Sequence, residues 1–187
     1  AMRYLFEKEI KDEISDQDLM KLGVQLGADV PYCILRGTAL AEGIGEILTP
    51  LPPMPNCYVL LAKPRISVST PTVFKDLNLS HMVNHPPTGT VIEAIKQKDI
   101  HTIAKNMGNV LESVTIKRHP VIAVIKNLML EYGALGAMMS GSGPTVFGLY
   151  SSKNQAYKTA HKLKLESLAR DVFVTTMYNR EERIRER

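Results

Sequence analysis

The chain has 187 residues, 44% of them hydrophobic and 22% charged, which is the composition of a globular protein of one ordinary domain or two small ones. It has no apolar run of the roughly 20 residues that a membrane-spanning helix needs, and its two cysteines exclude a disulfide scaffold and fit a reducing cytoplasm. The net charge of +4 comes from scattered lysines and from the segment 180–187, which we interpret as a solvated tail, so it permits an anionic ligand without requiring one.

Helix signals occupy the first part of the chain. Residues 1–10 have the spacing of a helix interior, with no capping residue ahead of them. Ser15 then predicts the N-cap of a second helix, because Asp18 follows it at the spacing of a capping box, and Gly27 ends that helix. The apolar stripe predicted for this helix consists of Leu19, Leu22 and Leu26.

An extended segment with two glycines follows. Residues 37–48 predict a β-hairpin that turns at Gly43 and Gly45. The proline cluster that begins at Pro50 excludes regular structure and marks the best candidate for a domain boundary. We therefore expect one domain over 1–56 and a second over 57–187.

The second domain alternates strands and helices. The order is that of an α+β protein and resembles a split βαβ, or ferredoxin-like, layout. The predicted elements are a buried strand over 57–62, a helix from Thr70, an amphipathic helix over 100–114, a helix from Pro120, a strand over 145–150, a helix capped by Ser152 and a strand over 171–178.

The segment 136–147 holds the glycine-rich loop Ser140-Gly141-Ser142-Gly143 between apolar residues. Glycines allow positive φ and leave backbone N–H groups exposed, so the loop could bind an anion, although a tight hairpin between two core strands explains the same composition. The sequence contains no P-loop, no Rossmann glycine pattern and no hydrolase nucleophile elbow.

Asp29 lies in the run Gly27-Ala28-Asp29-Val30-Pro31-Tyr32. An Asp just ahead of a proline-started helix is commonly an N-cap. The alternative is a carboxylate that orients a substrate hydroxyl, or takes its proton, during phosphoryl transfer. The residues alone leave both interpretations open.

The segment 136–147 resembles the third signature motif of the GHMP kinases, the family of galacto-, homoserine, mevalonate and phosphomevalonate kinases. The resemblance implies that Ser140, Gly141, Ser142 and Gly143 lie near substrate and nucleotide phosphates. The run around Asp29 is similar to that of the subfamily that phosphorylates the 2-hydroxyl of diphosphocytidyl-methylerythritol in isoprenoid biosynthesis. In that subfamily the corresponding aspartate is catalytic, which makes Asp29 the candidate catalytic residue.

Two further segments resemble the same subfamily. By this resemblance Gly43, Ile44 and Gly45 would line the methylerythritol side of the pocket, whereas a structural interpretation makes the glycines mere turn residues. Thr70 would lie near the substrate diphosphate, and Phe74 would stack on the cytosine ring. From the residues alone, Ser69 or Thr70 caps a helix and Phe74 belongs to its buried face. The resemblance also implies ATP and magnesium as cofactors, and no metal site formed by the protein itself.

The family's catalytic lysine strand and its glycine-rich ATP loop are not in this sequence. We therefore expect a remnant of the N-terminal GHMP domain followed by the C-terminal domain. We also expect that this chain alone neither binds ATP tightly nor turns over, and that its apolar surface is exposed unless a second chain covers it. His81 and His85 are interpreted as part of a solvated loop.

Two other functions are alternatives to this one. One is a different GHMP kinase, such as homoserine or mevalonate kinase, against which the segments at Asp29 and Phe74 argue. The other is a non-catalytic ferredoxin-like module that binds RNA. The predicted strands lack the alternating aromatic residues of an RNA-binding sheet, so we expect no nucleic-acid partner. Because the sequence has no long apolar run, we also expect no membrane partner.

Overall fold

The structure is a computed structural model, and it describes residues 14–77 and 86–179. Three sequence predictions lie outside these residues: the helix over 1–10, the loop of His81 and His85, and the solvated tail over 180–187. Within the described part of the chain, no helix is long and apolar enough to cross a membrane.

The described residues form two compact units. The first contains residues 14–53 together with Tyr178 and Asn179, and the second contains residues 54–177. The boundary lies inside the proline cluster, just before the predicted division after Asn56. The assignment of the two units to kinase domains stays a prediction.

The first unit begins with two short helices, α1 (Asp16–Val24) and α2 (Val30–Leu35). Ser15 caps α1 as predicted, because its side-chain oxygen accepts a hydrogen bond from the Asp18 amide. The two helices pack closely at Gly23, where an added Cβ would lie 2.7 Å from Val30 Cγ1. Only a residue without a side chain permits this approach.

The apolar stripe predicted for α1 is wrong in two of its three positions. Leu19 is buried, but Leu22 and Leu26 are exposed, and Leu26 lies beyond the last helical residue. The buried residues of α1 are Leu19 and Gly23, which lie one turn apart on the same side of the helix. The first unit therefore exposes apolar side chains, as expected from its sequence.

Strands β1 (Ala39–Glu42) and β2 (Ile47–Pro50) form the predicted hairpin, an antiparallel pair in which Glu42 is opposite Ile47. Pro50 contradicts the expectation that the proline cluster has no regular structure, because it is the last residue of β2 and is opposite Ala39. A strand end at an open edge tolerates proline, since no further ladder hydrogen bond is required there.

The second unit contains a four-stranded antiparallel sheet of β3 (Tyr58–Lys63), β4 (Gly136–Met139), β5 (Val146–Tyr150) and β6 (Asp171–Thr176). Their spatial order is β4-β5-β3-β6. The helices of the unit lie between β3 and β4 and between β5 and β6 along the chain. This is the order of a split βαβ fold and confirms the α+β class.

The helices of this unit pack a core on the sheet. They are α3 (Thr70–Asp76), α4 (Thr88–Lys96), α5 (Ile100–Lys105), α6 (Glu112–Arg118), α7 (Val121–Glu131) and α8 (Lys153–Leu165). Leu60 of β3, Ile125 of α7 and Leu163 of α8 are fully buried in one cluster. Tyr150 is fully buried in the same cluster, and its hydroxyl donates a hydrogen bond to the Met129 carbonyl.

The single amphipathic helix predicted over 100–114 is wrong. Two helices occupy this region, α5 and α6, and the intervening residues form a turn in which the Asn109 side chain accepts a hydrogen bond from the Leu111 amide. An Asn that binds the backbone two residues ahead competes with helical hydrogen bonding, so the helix is interrupted although the apolar spacing continues.

Candidate functional site

The Asp29 carboxylate is not used to cap a helix. Asp29 occupies the N-cap position of α2, but its backbone is helical and its side chain makes no capping hydrogen bond. The residue is exposed. The capping interpretation therefore fails, and the carboxylate is left accessible to a ligand.

Gly45, which the sequence also predicts as a site residue, lies beside Asp29. A Cβ added to Gly45 would be 3.9 Å from Asp29 Oδ1 and 3.8 Å from the Ala28 carbonyl oxygen. Gly45 has a φ of +114°, a conformation that residues with side chains rarely adopt. The hairpin turn and the Asp29 carboxylate are therefore neighbours within the first unit.

The tip of this hairpin presents an apolar side chain. Ile44 is 73% exposed between Gly43 and Gly45, both of which have positive φ. The Ile44 amide donates a 2.7 Å hydrogen bond to Glu46 Oε2, and the Gly45 amide donates to the Glu42 carbonyl. The glycines are accounted for as turn residues, while the exposed Ile44 remains available to contact a ligand.

The interpretation of Phe74 as a core residue is wrong. Val73 makes the contact between α3 and the core and is 2% exposed, whereas the Phe74 side chain is 58% exposed. Ser69 occupies the N-cap position of α3 without a capping hydrogen bond. The Phe74 ring is therefore free to stack on a flat ligand.

Thr70 and the glycine-rich loop are in direct contact. The Thr70 and Ser142 hydroxyl oxygens lie 2.7 Å apart in a hydrogen bond. Phe74 follows Thr70 by four residues on α3, which places both on the same side of the helix. The structure thus brings together two predicted site segments that are far apart in the sequence, the one with Thr70 and Phe74 and the glycine-rich loop.

The loop joins the antiparallel strands β4 and β5, so the interpretation that it connects two strands as a hairpin is correct. The loop is wider than a tight turn and is closed by two internal bonds, from the Ser140 amide to the Thr145 carbonyl and from the Gly143 amide to the Ser140 carbonyl. Gly141 and Gly143 have φ values of +55° and +90°. Two of the four loop amides are therefore used internally, and those of Gly141 and Ser142 have no acceptor among the described residues.

Sequence reasoning missed the residues that hold the loop. Asn109 Nδ2 donates to the carbonyls of Met139 and Gly141, and Thr115 Oγ1 donates to the Ser142 carbonyl. Glu112 accepts a hydrogen bond from the Met139 amide and forms an ion pair with Lys126. Asn109 and Glu112 lie outside the apolar stripe predicted over 100–114, so their polar character did not indicate this role.

An open cleft of about 250 Å³ lies beside Asn109 in the second unit. Its lining consists of Pro86, Pro87 and residues 105–110, and it includes the cation of Lys105. Among the residues that the structure describes, no three His, Cys, Asp or Glu side chains are grouped so that they could hold a metal ion. His81 and His85 are not among those residues.

Residues 91–167 match the family model of the GHMP kinases C terminal. This match identifies a GHMP kinase C-terminal domain within the second unit. It is 53% identical over 162 residues to the 4-diphosphocytidyl-2-C-methyl-D-erythritol kinase of Lachnoclostridium phytofermentans, a match that covers 87% of this chain and 56% of that protein. It is also 53% identical over 178 residues to the protein of the same name from Lachnospira eligens, with coverage of 95% and 60%.

A solved structure of 4-(cytidine 5'-diphospho)-2C-methyl-D-erythritol kinase has the same fold. It superimposes with a TM-score of 0.77 at 26% identity, over 95% of this chain and 62% of that one. The chain therefore spans less than two thirds of the length of each of these relatives.

Proposed function

We propose that this chain forms part of a kinase that transfers the γ-phosphoryl group of ATP to the 2-hydroxyl of 4-diphosphocytidyl-2-C-methyl-D-erythritol, a step of non-mevalonate isoprenoid biosynthesis. The single observation that carries the proposal is the arrangement on α3. An exposed aromatic ring, Phe74, lies one helical turn from Thr70, whose hydroxyl contacts the glycine-rich loop at Ser142. A base platform beside a phosphate-binding loop suits a nucleoside diphosphate substrate.

Each predicted site residue has a role in this reaction. Phe74 would stack on the cytosine, and Thr70 with the Ser140–Gly143 loop would contact the phosphates. Gly43, Ile44 and Gly45 would contact the methylerythritol. Asp29 would orient the 2-hydroxyl and accept its proton as the oxygen attacks phosphorus. Positioning of the reactants and neutralisation of charge are most of what phosphoryl transfer requires of a protein.

Magnesium would neutralise charge on the nucleotide phosphates when ATP is bound. The ion would be held mainly by the phosphates of the nucleotide. We further infer a cytoplasmic location, because Cys33 and Cys57 are both free thiols.

A chimera tests the proposal. This chain would be joined to the part of the Lachnospira eligens kinase that the match does not cover, and transfer from γ-labelled ATP would be measured with diphosphocytidyl-methylerythritol, homoserine and mevalonate as acceptors. We expect transfer to the first acceptor only. Transfer to homoserine or mevalonate alone would assign another GHMP activity, and a folded chimera with no transfer at all would overturn the proposal.

The same assay on this chain alone tests the expectation drawn from the missing ATP loop. We expect no measurable transfer. Salt-sensitive binding of RNA in place of any transfer would support the non-catalytic alternative.

A further inference from the structure

One side chain from a distant part of the sequence holds the centre of the glycine-rich loop. Asn109 Nδ2 donates to the Met139 carbonyl at 2.8 Å and to the Gly141 carbonyl at 2.7 Å. Its Oδ1 accepts from the Leu111 amide at 2.9 Å. Because all three partners belong to the backbone, the plane of the Asn109 amide and the positions of its oxygen and nitrogen are fixed.

The direction of a carbonyl determines the direction of the next amide, since C=O and N–H point in opposite directions in a trans peptide. Asn109 binds the Gly141 carbonyl and so directs the Ser142 N–H away from itself. The Ser140 carbonyl accepts from the Gly143 amide at 2.9 Å, which sets the Gly141 N–H in the same manner. Within residues 14–77 and 86–179, neither of these two amides has an acceptor.

The other polar contacts hold the flanks of the loop. Thr115 Oγ1 donates to the Ser142 carbonyl at 3.2 Å, and Glu112 Oε1 accepts from the Met139 amide at 2.7 Å. The Thr115 bond orients the Ser142–Gly143 peptide, and the Glu112 bond holds the Met138–Met139 peptide just before the loop. Asn109 is the side chain that binds the carbonyl of that central peptide.

We infer that Asn109 is a positioning residue for phosphate binding, which sets the amides of Gly141 and Ser142 to donate together to one oxyanion of a diphosphate. Adjacent amides on a residue with positive φ, as at Gly141, form a concave anion site. The inference rests on the proposed function, because that function supplies the diphosphate. It adds a residue outside the loop on which the geometry of the loop depends.

Titration of the ¹⁵N-labelled chain with CDP and with inorganic pyrophosphate, followed by NMR, tests the inference. The variants are Asn109→Ala and a matched control, Asn106→Ala. Asn106 lines the same cleft as Asn109, but its Nδ2 donates to the Thr102 carbonyl and not to the loop. We expect both probes to shift the Gly141 and Ser142 amide resonances in the wild type and the control, and Asn109→Ala to bind at least roughly tenfold more weakly.

A second variant, Asn109→Asp, guards against loss of folding. It keeps an oxygen for the Leu111 amide but sets a carboxylate oxygen against two carbonyls, so we expect weaker probe binding in a chain that still unfolds cooperatively in urea. A merely structural role would change the urea midpoint and leave the affinity of the folded chain unaltered.

Three results of the NMR titration would overturn the inference: unchanged probe affinity in Asn109→Ala, unchanged affinity in folded Asn109→Asp, or no shift of the two amides in the wild type. Each is independent of the proposed function, which the chimera assay decides. An active chimera whose kcat/KM is unchanged by Asn109→Ala leaves the kinase proposal standing and removes the role of Asn109.

Discussion

The hydroxyl oxygens of Thr70 and Ser142 lie 2.7 Å apart, although the two residues are far apart in the sequence. Thr70 begins the helix that carries Phe74, and Ser142 lies in the glycine-rich loop. The contact therefore fixes the distance between the proposed base platform and the proposed phosphate loop within the second unit.

A double-mutant cycle measures this contact. Thr70→Val and Ser142→Ala each remove one hydroxyl with little change in volume, and we expect a coupling free energy of about 0.5–1 kcal/mol in urea unfolding, the value of an exposed neutral hydrogen bond. A coupling of zero would mean that the hydroxyls do not interact in solution. Thr72→Val with Ser142→Ala is the matched control, because the Thr72 hydroxyl donates to Ser69 instead.

Phe74→Ala should weaken CDP binding by roughly tenfold, since the stacking of one base on an aromatic ring contributes about 1–3 kcal/mol. The stability of the fold should change little, because the side chain is already exposed. Phe173→Ala is the control, as it removes a ring of similar exposure from the second unit. Equal affinities of the two variants, measured by calorimetry, would rule out Phe74 as the base platform.

Asp29→Asn should lower kcat of the chimera by about 10²–10⁴-fold and leave KM nearly unchanged, because the amide keeps the size of the side chain and loses the proton acceptor. Asp18→Asn in α1 is the control for loss of one acidic charge from the first unit. If Asp29→Asn retains full turnover, Asp29 does not accept the proton.

Gly143→Ala should destabilise the second unit by about 2–3 kcal/mol. The new Cβ would lie 2.6 Å from Met139 Sδ on a residue with a φ of +90°. Gly89→Ala in α4 meets no atom within 4 Å. It should stabilise the protein by up to about 1 kcal/mol, since alanine favours helix. Urea unfolding of both variants gives the comparison, and similar midpoints would contradict it.

We expect the free energy of unfolding to decrease at high pH because of Tyr150. Burial raises the pKa of its hydroxyl to about 12. The folded chain then keeps the phenol proton while the unfolded chain releases it near its ordinary pKa of about 10, so the stabilisation is complete below that pH and decreases as the pH rises towards the folded value. The loss should reach roughly 3 kcal/mol. Tyr150→Phe should remove this part of the pH dependence. The free energy of unfolding of the wild type and of the variant would be measured as a function of pH, and parallel curves would exclude the contribution of Tyr150.

Local sequence signals predicted the hairpin of β1 and β2, the cap at Ser15 and the strands that flank the glycine-rich loop. These features depend on neighbouring residues: glycines with positive φ, a serine three residues before an acidic residue, and short apolar runs. The α+β class of the second unit also followed from the alternation of its elements. This part of the fold needs no knowledge of distant contacts.

The exposure of Phe74, the interruption between α5 and α6 and the role of Asn109 could not be predicted in the same way. Each depends on which side of an element faces the core or on a hydrogen bond to a residue 30 positions away. The apolar spacing over 100–114 continues across a turn, so periodicity gave no signal of the break. Tertiary contacts, and not local preference, decide these features.

The strand order has a consequence for synthesis on the ribosome. β3 leaves the exit tunnel before either of its sheet partners exists, because Val146 and Asp171 begin the strands that flank it. Until those strands are translated, an apolar strand with two open edges is present in the nascent chain. Completion of the sheet is therefore late and slow, and a ribosome that stalls before residue 171 would leave a polypeptide that chaperones must protect from aggregation.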